Sequence, residues 1–336
     1  MTARARTPAL ALSTISASTS RIELMRIIWA LAWPAIMTFG LESLVGLIDT
    51  LMVGRLGANA VAGVGVGSQI LNAVSVMNMA LATGTVALVA RHVGAAQRHE
   101  AGAVVTQSIY LALAMGLAIA VPMSIYAPHL VAIFKVEPEV LENGAGFVRI
   151  IMLGVPCMAT CAVIAAGLRG SGDMRTPLAI GALVNVINVC VGYTLIFGHF
   201  GMPALGVRGS AVGSATAFTI GAGLGLAALL RRNGSLRLER DRLRPSLTLA
   251  RRILAVGSPT GIEQLLMQIG FLLYLGIAAR YQTDRDPDYA VLAEPDGPFY
   301  FAGEHLSHVG AWQEGAMLSA RRAINMMDKH RRARHA

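Results

Sequence analysis

The sequence predicts an all-α polytopic membrane protein. Two observations carry that expectation: the scarcity of charge and the way apolar residues are grouped. Of 336 residues, 54% are hydrophobic and 14% charged, and the mean hydropathy is +0.58. A soluble domain carries about 25% charged residues. The deficit comes from long apolar runs separated by short polar stretches, and a membrane-spanning helix needs about 20 such residues. No polar/apolar alternation over about ten residues occurs, so a membrane β-barrel is not expected. In lipid the backbone must satisfy its own hydrogen bonds, which leaves helices.

Seven segments are long enough to span: 27–53, 60–90, 103–134, 146–168, 177–198, 208–230 and 253–280. Lys and Arg in the connecting loops set the orientation. With the N-terminus in the cytoplasm, the inner side holds Arg4, Arg6, Arg21, Arg26, Arg91 and Arg98. It also holds Arg169, Arg175 and the basic run from Arg231 to Arg252. The outer loops before the seventh segment hold Arg55, Lys135 and Arg208, with Arg149 near a helix end. The expected placement is therefore a multi-pass protein of the inner membrane with a cytoplasmic N-terminus. The first twenty residues have two arginines but only a short, interrupted apolar stretch, a poor signal peptide.

The formal net charge is +9. It sits in loops and termini without interleaved aromatic residues, which argues against nucleic acid as a partner. Cys157, Cys161 and Cys190 lie in apolar runs with no histidine nearby and read as small packing residues rather than a metal site. Gly63–Gln69 and Gly221–Leu229 are rich in small residues, which let helices approach closely in lipid. Neither is a GxGxxG turn. At an offset of 225 residues Pro34 aligns with Pro259, Leu47 with Leu272 and Arg55 with Arg280. Internal repeats of this kind are common in transporters, and the alignment makes segment seven the first helix of a second bundle.

Three stretches, LAWPAIMTFG…LIDTLMVGRLG from Leu31, LRGSGDMRTPL from Leu168 and VGYTLIFGHFGMPALGVRGSAVGSATA from Val191, occur in this order. They resemble the multidrug and toxic compound extrusion (MATE) transporters over about 25–283. The resemblance implies twelve helices in two six-helix lobes, exporting small organic cations in exchange for H⁺ or Na⁺. It divides the chain into a cytoplasmic tail (1–24), a first lobe of six helices (25–232), a basic loop (233–252), a seventh helix (253–282) and a C-terminal fragment (283–336). Alternating access needs two bundles, so transport is expected to require a second copy or a separate second lobe, and the chain alone is expected to be inactive.

The tail differs. FYFAGEHLSHVGAWQEGAMLSARRA, Phe299–Ala323, resembles the FAD-contacting C-terminal segment of flavin-dependent amine and L-amino-acid oxidases over about 289–324. The corresponding residues are Gly303, Glu304, Trp312 and Glu314. No βαβ unit with a glycine-rich phosphate turn precedes them, and about fifty residues are too few for a substantial core. No functional FAD site, and no resident cofactor, is therefore expected. Two alternatives accompany the transporter: an oxidase fragment with a membrane anchor, and a fusion product without activity, joined near Thr283.

Candidate chemistry lies in the first lobe. Asp49 sits within an apolar segment, where a carboxylate is costly unless it serves or is paired. Its DTLMVG context also resembles the family's first-helix carboxylate. Glu42 lies seven residues earlier, two turns away on the same face, so the two carboxylates can share a proton or hold a cation. Asn185 and Asn188 offer amide oxygens, or act as plain contacts between helices. Proton-coupled relatives carry an Asp one turn after Asn188, where this chain has Gly192. Gln69, Asn72, Asn78 and Thr216 are polar lining candidates, and Glu263 is a candidate cation ligand on the seventh segment. The run Arg169–Pro177 reads as a cytoplasmic turn in which Asp173 pairs with Arg169 or Arg175.

Overall fold

The computed structural model describes residues 21–134, 136–230, 236 and 245–283. The described residues are helical throughout, apart from short turns. In chain order the helices are α1 (Arg21–Gly54), α2 (Ala58–Gly94), α3 (Arg98–Ile125), α4 (Ala127–Ala132), α5 (Pro138–Gly170), α6 (Arg175–Phe197), α7 (Val207–Leu230) and α8 (Leu247–Thr283). Six of them, α1, α2, α3, α5, α6 and α7, are long and apolar enough to cross a membrane. The seventh expected span is a helix, α8, but it is not among those six. The expected span 103–134 is two helices. Pro122 ends α3 within a turn, and Pro128 fits the first turn of α4, where its missing N–H leaves no bond unmade.

The chain divides into two units, 1–262 and 263–336. The first contains α1–α7 and the first half of α8. In the second, the described residues are 263–283, the end of α8. Pro34 lies 13 residues past the start of α1 and Pro259 12 past the start of α8.

α5 is the central helix of the first unit, with buried residues along its whole length from Val140 to Leu168. One apolar cluster gathers around Met52, Val53, Phe147, Ile151, Met152 and Ile196. A second gathers around Leu81, Leu88, Val105, Ile164, Leu229 and Ile253. Glycines set the distances between helices. A Cβ on Gly213 of α7 would lie 2.8 Å from the backbone N of Gly192 and 2.9 Å from its Cα. One on Gly209 would lie 2.6 Å from the Leu195 carbonyl. α6 and α7 therefore cross backbone to backbone. α2 and α8 do the same: a Cβ on Gly84 would collide with the Ile253 carbonyl, and one on Gly257 with the Ala80 carbonyl. Gly257 and Gly261 form a GxxxG spacing on α8, the pattern that brings helices together in lipid.

Polar residues inside the bundle are mostly satisfied locally. Thr85 donates to the Leu81 carbonyl at 2.6 Å and is bonded to the Ser108 hydroxyl of α3 at 2.7 Å. Thr160 donates to the Pro156 carbonyl at 2.8 Å. Among the described residues the exception is Asn78 of α2, 7% exposed, whose Oδ1 has no hydrogen-bond partner there. An unmade buried hydrogen bond costs about 1–3 kcal/mol. Asn78→Leu is accordingly expected to stabilise the bundle by about 1 kcal/mol. A higher midpoint of thermal unfolding in detergent, followed by circular dichroism, is the result to look for; a lower one would show that the amide is used.

Candidate functional site: a polar cavity between four helices

A cavity of about 400 Å³ lies between α1, α5, α6 and α7. Its walls are largely apolar. Its polar groups are Thr38 and Glu42 from α1, Cys161 and Arg169 from α5, and Asn185 and Asn188 from α6. α6 and α7 touch at Gly192–Gly213 and Leu195–Gly209, one turn beyond the cavity-lining Asn188.

The structure brings together three of the residues expected from sequence, Glu42, Asn185 and Asn188. Glu42 is exposed along one side of the bundle, so the cavity is reachable. Asn188 is 9% exposed and donates from Nδ2 to the Ser214 hydroxyl of α7 at 3.0 Å. That bond fixes the amide and leaves Oδ1 as an acceptor.

Asp49 is placed differently. It is half-buried on α1 but does not line the cavity. No hydrogen bond or ion pair reaches its carboxylate among the described residues. Three residues further along, the methyl of Met52 lies 3.8 Å from where a Cβ on Gly192 would stand. Asp49 therefore sits level with the Asn188–Gly192 turn, outside the cavity lining. A Cβ on Gly192 would also stand 3.9 Å from Asn188 Oδ1, an ordinary contact, so its own packing does not demand glycine there.

The remaining expected site residues lie elsewhere. Gln69 and Asn72 bond to each other along α2 at 3.4 Å and do not line the cavity. Thr216 is half-buried on α7 outside the cavity lining, and Glu263 is exposed on α8 in the second unit. Gly303, Glu304, Trp312 and Glu314 lie outside the described residues.

Sequence reasoning missed Arg169. It was grouped with the turn that follows, yet it lines the cavity and interacts electrostatically with Glu42. The signal was present: Met158, Cys161, Ala165 and Arg169 form one stripe at helical spacing and all face the cavity. Asp173 is used for capping. It accepts from the Thr176 N–H at 3.0 Å and from the Thr176 hydroxyl at 2.7 Å, closing the first turn of α6. The cysteines are free thiols, Cys157 and Cys161 half-buried and Cys190 exposed.

Among the described residues, a helical bundle with six helices long and apolar enough to cross a membrane, around a polar cavity, is the architecture of a multi-pass membrane protein. Residues 34–194 match the MatE family model. It is 31% identical over 256 residues to a probable multidrug resistance protein NorM of Thermotoga maritima, covering 76% of this chain and 55% of that protein. It is 29% identical over 189 residues to the multidrug resistance protein PmpM of Pseudomonas aeruginosa, covering 56% of this chain and 39% of that one. Among solved structures, a MOP superfamily transporter from Pyrococcus furiosus superposes with a TM-score of 0.69 at 22% identity, over 78% of this chain and 57% of that chain. An outward-facing multidrug resistance MATE transporter gives 0.66 at 22%, over 78% and 55%. The fold is that of the MATE transporters. The chain spans about half the length of the curated relatives it matches.

Proposed function

We propose that this chain forms the first lobe, and the first helix of a second, of a MATE-type multidrug exporter. It would move small organic cations across the inner membrane in exchange for H⁺ or Na⁺, with its N-terminus in the cytoplasm. The observation that carries the proposal is the cavity that joins the Glu42 carboxylate to the Asn185 and Asn188 amides between apolar walls. Apolar walls with an acidic group suit an amphipathic cation, with Arg169 in the same lining opposing it. Relatives named as multidrug resistance proteins support the substrate class. Asp49, two turns from Glu42 on α1, is the candidate coupling group, since an intramembrane carboxylate can bind and release a proton or Na⁺.

Alternating access requires two bundles rocking about a site between them. The transport-competent unit would then include a second six-helix lobe, whether from a separate chain, a second copy or a longer form of this protein.

Vesicles holding this chain with a second MATE-type lobe are expected to expel tetraphenylphosphonium when a pH or Na⁺ gradient is imposed. Vesicles holding the chain alone should not. Asp49→Asn should abolish the response to the gradient while leaving substrate binding to the purified chain intact. Absence of gradient-driven flux in the two-lobe vesicles would sink the exporter proposal. Flux unchanged by Asp49→Asn would remove Asp49 from the coupling role.

A further inference from the structure

The opposite end of the first unit has a second hollow, of about 320 Å³. Its apolar wall includes Pro128 of α4 and Leu141 and Ile150 of α5. Its charged groups are Glu142 and Arg149 of α5 and Arg208 of α7. Arg208 pairs with Glu142 at 3.5 Å. Arg149 makes no ion pair among the described residues, so the lining holds two guanidinium groups and one carboxylate and carries a surplus positive charge.

Local packing builds this arrangement. Arg208 lies across α5 at Gly146, where an added Cβ would stand 2.8 Å from its Nε and 3.3 Å from its Cγ. The missing side chain lets the arginine stem lie flat and points its head along α5. Gly146 and Arg149 are three residues apart, on one face of the helix.

Depth identifies the occupant. α7 has 24 residues, about 36 Å at 1.5 Å per residue, against about 30 Å of hydrocarbon. Arg208 is its second residue and therefore lies at the membrane–water boundary. Tyr126, 59% exposed between α3 and α4, suits the same level. One turn beyond Arg149, toward the membrane interior, Leu153 is 65% exposed. A positive hollow at headgroup depth, with an apolar strip leading into the hydrocarbon, matches a phospholipid.

We propose that this hollow binds a membrane phospholipid, with Arg149 and Arg208 holding its phosphate and an acyl chain lying along α5 at Leu153. Arginine suits phosphate because its planar donors bind two oxygens together. Binding opens the exposed Arg208–Glu142 pair, so Glu142 competes with the phosphate.

The test is binding of short-chain phosphatidylglycerol to the purified full chain in detergent, followed by native mass spectrometry and by the thermal shift. Arg149→Gln and Arg208→Gln are each expected to weaken binding about tenfold, and the double variant to abolish it. Glu142→Gln should tighten binding severalfold, a gain that misfolding cannot produce. Gly146→Leu should weaken it by displacing Arg208. Inorganic phosphate at the same concentration should neither bind nor compete. Equal binding by the native chain and the Arg149→Gln/Arg208→Gln variant overturns the proposal. So does displacement of the lipid by inorganic phosphate, which would make the hollow a site for free anions.

Discussion

Gly213→Leu is expected to prevent the first bundle from assembling. The Cβ alone would press on the Gly192 backbone at 2.8–2.9 Å, and the Asn188 carbonyl is 3.3 Å away. Backbone cannot turn aside as a flexible side chain can. Overpacking a core costs about 1–3 kcal/mol where side chains give way, so about 3 kcal/mol or more is the expectation here. The variant should aggregate on extraction, or unfold far below the native midpoint in detergent. Gly223, ten residues along the same helix, is the control, since a Cβ there meets nothing within 4 Å. Gly223→Leu should behave as the native chain does. Native-like behaviour of Gly213→Leu would mean that α6 and α7 do not cross where the structure places them.

The second large effect is a pair of opposite changes in ligand binding. Glu42→Gln should weaken tetraphenylphosphonium binding to the purified chain, and Arg169→Gln should strengthen it. Both side chains border the same cavity and act on it with opposite charge. At an effective dielectric of about 20, a unit pair about 6 Å apart is worth roughly 3 kcal/mol. Water on the open side screens part of that, which leaves on the order of tenfold in affinity each way. Equilibrium dialysis would read both. Two losses, or no change in either, would show that the cation does not bind beside Glu42.

Most of the fold was legible in the sequence because lipid imposes a strong pattern. Six of the seven expected segments coincide with membrane-capable helices, and the observed helices run several residues past most of the apolar runs. Their polar outer turns, such as Arg21–Arg26 on α1 or Arg98–Glu100 on α3, are helical without being apolar. The break at Tyr126 was hidden because apolar residues continue across it, and only Pro122 and Pro128 marked it. The candidate site was less legible. Glu42 and Asp49 share a face of α1, yet only Glu42 lines the cavity, whose α1 wall runs from Thr38 to Val45. The crossing of α6 and α7 depends on Gly209 and Gly213 of α7 meeting the α6 backbone, which spacing within one helix does not reveal. Arg169 was obscured by its position at a helix end, where a basic residue ordinarily reads as an orientation signal.

The meeting of α2 and α8 has a consequence for biogenesis. Helices leave the translocon one after another, and most must wait in lipid for later partners. α8 instead reaches back: Gly257 fits against Ala80, and Ile253 against Gly84 of a helix made long before it. The bundle can therefore close over α2 as soon as Ile262 has entered the membrane, without waiting for any residue synthesised afterwards. A nascent chain arrested just after that point should already protect the Gly84 region from a thiol-reactive probe on a cysteine placed there, whereas one arrested before Arg251 should not.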